Sequence, residues 1–165
     1  MSRNVAIVFT AIMLLTTTAQ ASPSVTLKVA EGYLILVESD GTPHPGPAST
    51  RFGVALGWKI HPSWIVSGEV GVAISNVVFE PAPRVILGVT YLINERWSFG
   101  GVFLYQPNPP YSGRATTHLV GPAIGPAYCL GRVLFGLSFG VSKLLEGGAD
   151  EHWSLLLQPW VGVKF

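Results

Sequence analysis

Four histidines, one cysteine and nine acidic residues carry whatever side-chain chemistry this 165-residue chain can perform. The densest cluster is Asp150-Glu151-His152-Trp153-Ser154. In an extended chain His152 and Ser154 share a face, which lets an imidazole take the proton of a hydroxyl nucleophile. A catalytic serine also needs an acid that orients its base. Both carboxylates precede the pair, so the same residues also read as an ordinary polar loop-to-strand transition. His118 with Ser112 is a weaker pairing, and His44 and His61 sit among prolines as solvated turn residues. Cys129 has no second cysteine, and no histidine pair stands at ligand spacing. Neither an internal disulfide nor a metal site is expected, and no cofactor.

Strands must position these residues. In residues 153–165, Trp153, Leu155, Leu157, Pro159, Val161, Val163 and Phe165 alternate with Ser154, Leu156, Gln158, Trp160, Gly162 and Lys164. Neighbouring side chains of a strand point to opposite sides, so this strand has one apolar and one mixed face. Eight such segments are expected, at 25–37, 50–60, 64–75, 84–93, 97–106, 116–130, 132–142 and 153–165. Most approach the roughly 9–11 residues that cross a bilayer as a tilted strand. The second sets Phe52, Val54, Leu56, Trp58 and Ile60 against Arg51, Gly53, Ala55, Gly57 and Lys59. The seventh sets Val133, Phe135, Leu137, Phe139 and Val141 against Leu134, Gly136, Ser138, Gly140 and Ser142. Faces of Gly, Ala and Ser are too small for a hydrophobic core, so the large residues are expected outside, against lipid.

Short connections at 61–63, 94–96 and Gly131 alternate with longer ones at 38–49, 76–83, 107–115 and 143–152. That is the pattern of short periplasmic turns and longer extracellular loops. Trp58, Trp64, Trp97 and Trp160 are expected at the turn rim, and Tyr33, Phe79, Tyr105, Tyr111 and Trp153 at the loop rim, as interfacial girdles. Two segments fit less well. Lys28 and Glu31 have opposite parity, so one faces lipid unless a bulge intervenes. Pro122 and Pro126 each remove a ladder donor, and a bulged or locally unpaired strand is expected there.

Composition agrees. Charged residues are 12% of the chain, about half the soluble norm of roughly 25%, yet no stretch after Leu15 is long enough for a transmembrane helix. With a net charge of +1 and no Lys/Arg cluster, nucleic acid is not an expected partner. Arg3, the apolar run at 5–15 and Ala19-Gln20-Ala21 predict a secretory signal peptide over 1–21, leaving 22–165 as one barrel domain.

The terminal run Trp160-Val161-Gly162-Val163-Lys164-Phe165 resembles the closing strand of Gram-negative outer-membrane barrels. With the leader, the eight strands and the alternating loops, the whole mature chain resembles the small-barrel class of the OmpA transmembrane domain, OmpX and OmpW. The resemblance is architectural. It implies outer-membrane localisation, with lipid, lipopolysaccharide and the barrel-assembly machinery as partners and a monomeric state. Trp160, Gly162 and Phe165 would then form the insertion signal. The domain that binds peptidoglycan in OmpA is not expected, since the chain stops at Phe165. His152-Trp153-Ser154 is superficially similar to the His-x-Ser of lipid A 3-O-deacylases, but it begins the last strand and no acidic residue follows it.

The expected fold is therefore an all-β, eight-stranded antiparallel transmembrane up-and-down barrel. Its interior is only wide enough for side chains to fill. The inward charges Arg51, Lys59, Glu69, Arg84, Lys164 and Lys28 read as an internal polar network, with Glu69 satisfied by Arg84 or Arg51. The alternative is a narrow conduit for small solutes. Residues 43–47 and 106–111 read as stiff, polyproline-like loop segments, either contact surfaces or protease-resistant caps. A soluble lipocalin-type carrier would need apolar inward faces, which these are not. A structural or interaction role without enzymatic activity is expected, contacts being made by extracellular loops of unknown ligand. A lipid A-modifying acyl hydrolase is the remaining alternative.

Overall fold

The computed structural model describes residues 23–37, 41–46, 48–75, 81–108, 117–146 and 152–165. The expected leader, together with Phe79, Tyr111, Ser112, Asp150 and Glu151, lies outside the described residues. The strands are β1 (Ser24–Val37), β2 (Pro43–Pro45), β3 (Ser49–His61), β4 (Trp64–Ser75), β5 (Pro81–Leu92), β6 (Trp97–Asn108), β7 (Thr117–Leu130), β8 (Val133–Glu146) and β9 (His152–Lys164). Each pairs antiparallel with its neighbour, and β1 also pairs with β9. The long strands thereby close into an eight-stranded barrel with no open edge, so backbone groups are satisfied within the wall as a bilayer requires.

Stepping along paired residues from Ser24 to Gly57, Ser67, Gly88, Val102, Ala123, Gly140 and Leu156 returns to β1 at Leu34, ten residues further on. This stagger tilts the strands and sets the barrel's width. All nine residues face inward. Between them, Leu27, Val54, Val70, Leu87, Phe103, Ile124, Phe135 and Leu155 face outward from successive strands and are exposed. A continuous apolar belt around the whole molecule far exceeds the few hundred Å² of apolar patch that a soluble monomer shows.

Turn chemistry explains the short connections. Asn94 Oδ1 accepts from the backbone N–H groups of Arg96 (2.9 Å) and Trp97 (2.8 Å) and fixes the β5–β6 turn. Gly131, at φ 63°, takes the left-handed conformation needed between β7 and β8.

Several boundaries differ from expectation. β5 begins at Pro81 instead of Arg84, because Pro81 and Pro83 pair only with β4, below which β6 joins from Val85. A proline on a one-sided stretch costs no ladder bond. β8 runs on to Glu146, paired with β7 beyond Ser142. Residues 43–45 are not free polyproline: they form β2, laid against Ile35–Val37, with the Gly46 N–H donating to the Leu34 carbonyl at 2.8 Å. Gln106, Pro107 and Asn108 likewise belong to β6 and pair with β7.

No bulge rescues Glu31. β1 keeps one register against β9 from Thr26 to Val37, so Glu31 faces outward, where its Oε1 accepts from Thr50 Oγ1 at 2.7 Å. β7 is locally unpaired rather than bulged. Its pairs with β8 lapse at Gly121–Pro122 and Gly125–Pro126 and resume in unchanged register. The prolines point outward, while β8 approaches so closely that a Cβ on Gly125 would strike the Leu137 carbonyl.

Candidate functional site

The barrel wall encloses a cavity of about 460 Å³. At the turn end it is rimmed by the exposed Lys59, Glu95, Arg96 and Lys164. It reaches inward as far as Arg51, Arg84, Leu104, Leu156 and Gln158. Nearer the loop end the interior is filled: Leu119 is buried, and Ser142 Oγ and the fully buried Ser154 Oγ share a 2.7 Å hydrogen bond. The molecule is a cup.

Glu69, near the middle of β4, is the centre of its polar floor. Lys28 Nζ from β1 lies 3.0 Å from Glu69 Oε2, and Arg84 Nη2 from β5 lies 3.5 Å from Oε1. Arg51 of β3 stands beside this group without reaching Glu69. It donates instead to Gln158 Oε1 and, through Nε, to Ser49 Oγ at 3.0 Å. Lys59 is a rim residue, outside this group of contacts. Of the six inward charges expected to form a network, the structure joins Glu69 to Lys28 and Arg84, sets Arg51 on Gln158 beside them, and leaves Lys59 and Lys164 at the rim. Lys28 was legible as an inward charge from its parity. Gln158 carries no charge that would have marked it.

Three glycines make the space. A Cβ on Gly53 would lie 2.7 Å from Glu69 Oε1, and one on Gly32 would lie 2.5 Å from Arg51 Cζ. Opposite Gly136 the indole of Trp160 turns into the cavity, with Lys28 Nζ 4.7 Å from its ring. Trp160 therefore does not belong to the outer girdle expected of it: even-numbered residues of β9 face inward. The turn-rim girdle instead contains Trp64 tilted against Tyr91 and Trp97 against Tyr128, with centroids 5.0 and 4.9 Å apart. At the loop rim, Tyr105 packs on His118 across the β6–β7 ladder and hydrogen-bonds to its Nδ1 at 3.1 Å.

The interior is also less uniformly small than its sequence suggests. Ile86, Leu104, Leu119 and Leu156 form an aliphatic layer, joined by Leu34 and Val102. Ile86, Val102, Leu104 and Leu156 line the same cavity as the charges.

The candidate nucleophile does not face the lipid boundary. Ser154 points into the barrel against Ser142, whose carbonyl also accepts from it at 3.3 Å. His118 is on the outer face with Tyr105, and the His61 Nδ1 accepts from the Ser63 N–H at 3.3 Å. Of the expected insertion signal, Gly162 faces inward opposite Lys28, and Phe165 is exposed with its N–H donating to the Val25 carbonyl at 2.8 Å.

No family model matches the chain, and no curated protein does. Solved structures do. Neisserial surface protein A superposes with a TM-score of 0.60 at 12% identity, over 87% of this chain and 99% of that one. The attachment invasion locus protein Ail of Yersinia pestis gives 0.57, also at 12% identity and with the same coverage. The chain thus has the fold of small outer-membrane barrels, and the comparison extends over nearly all of each neighbour.

Proposed function

We propose that this chain resides in a bacterial outer membrane as a monomeric, non-enzymatic barrel with a structural or interaction role. The carrying observation is the apolar belt around a lumen that is filled at its loop end. A protein whose outside is lipid-compatible and whose inside is blocked offers the envelope a rigid wall and the surface its connections. The likeness in fold to Ail, named for attachment and invasion, supports contact-making at the loop end. Outer-membrane lipid and lipopolysaccharide surround the belt. The outward Val161 and Val163 of β9, with Phe165 just beyond its end, are the surface that barrel-assembly machinery would read.

Two measurements test this reading against its rivals. In planar bilayers the refolded chain should give no steady conductance, whereas regular open steps would move the reading to a narrow channel. Expression in a Gram-negative host should leave lipid A acylation unchanged. Loss of one acyl chain, abolished by Ser154→Ala, would establish the hydrolase instead.

A further inference from the structure

The interior charges do not balance. Among the described residues, Arg51, Arg84 and Lys28 line the cavity at depth, and Glu69 is the sole carboxylate among them. Two positive charges remain in a wall surrounded by apolar side chains, where unpaired charge is costly. Arg84 shows where the deficit lies. Its side chain is 1% exposed, its Nη2 contact to Glu69 is long at 3.5 Å, and its Nε has no hydrogen-bond partner. Arg84 belongs to the cavity wall, and its unpartnered guanidinium edge, buried there, would suit the paired oxygens of a carboxylate or phosphate once the side chain turns toward the lumen.

We propose that the cup binds a small organic anion, a carboxylate or phosphate monoester on a compact apolar body, held by Arg84 and Arg51. The apolar body would rest on Ile86, Val102, Leu104, Leu134 and Leu156, which line the same cavity. Its volume of about 460 Å³ falls within the range of small-molecule sites, roughly 300–1,000 Å³. Entry is from the turn end, where Lys59, Arg96 and Lys164 outnumber Glu95 and draw anions toward the mouth. This site goes beyond the envelope role proposed above and rests on the interior charges alone.

The test uses the refolded barrel in nonionic micelles, titrated with benzoate and phenylphosphate and, as isosteres, with neutral benzamide and cationic benzylamine. Ligand-observed NMR and the unfolding temperature report binding. At least one anion should bind saturably and raise the unfolding temperature, while benzamide and benzylamine do neither. Arg84→Gln should weaken that binding at least tenfold, and Glu69→Gln should tighten it by removing the competing carboxylate. Should the variants not refold, the unaltered chain decides: saturating anion should slow thiol labelling of Cys129, which lines the cavity near its mouth. Absence of saturable binding by both anions, equal binding of benzamide, or the full effect from chloride alone would overturn the proposal.

Discussion

The indole of Trp160 occupies the space that a side chain on Gly136 would need: the two residues face each other across the β8–β9 ladder, inside the barrel. The pair carries a large aromatic into a narrow lumen without widening the wall. Gly136→Ala should therefore cost about 1–3 kcal/mol through overpacking. Combining it with Trp160→Leu should recover part of the loss. Urea-unfolding midpoints in vesicles measure both. An additive result would mean that the ring does not depend on that glycine.

Glu69 is the shared acceptor of Lys28 and Arg84. Glu69→Gln leaves both cations without it and should destabilise the barrel by about 3 kcal/mol. Replacing Glu69 and Arg84 together, by Gln and Met, should cost less than the two single changes added. The urea midpoints of the double-mutant cycle give the coupling energy, and a value near zero would show that the ion pair is not formed.

On the outer face the cost of charge should depend on depth. Val70 is 62% exposed in mid-strand, and Tyr91 lies close to the turn rim. In lipid vesicles Val70→Arg should cost roughly 2–4 kcal/mol and Tyr91→Arg no more than about 1. In a soluble barrel an arginine at so exposed a position would be almost without effect.

Ser154→Ala removes the hydroxyl that bonds to both the Oγ and the carbonyl of Ser142 within the filled end of the lumen. The expected loss is about 1 kcal/mol, with lipid A composition identical to that of cells expressing the unaltered chain. Mass spectrometry of extracted lipid A reads the second outcome directly.

The wall was legible in the sequence because strand periodicity and bilayer chemistry act on every residue alike. The alternation of Phe52 with Gly53, or Phe139 with Gly140, is visible without any knowledge of partners. What lay hidden depends on register. Whether Glu69 meets Arg84 or Arg51 follows from the offset between β3, β4 and β5, which hydrophobic patterning does not encode. Trp160 was ambiguous for another reason. An aromatic near a strand end reads as a girdle residue, although its parity in β9 puts it on the inward face with Leu156 and Gln158. Pro81 and Pro83 misled because a proline is excluded from a ladder only where its N–H is needed. β5 uses them along a stretch that has a partner on one side.

The assignment as a closed membrane barrel is tested most directly by electrophoresis of the outer-membrane fraction in mild SDS, unheated against boiled. A barrel with β1 paired to β9 should stay folded without heating and run at a different position from the boiled chain. A single position under both conditions, with the protein recovered in the soluble periplasm, would contradict both the closure and the membrane location.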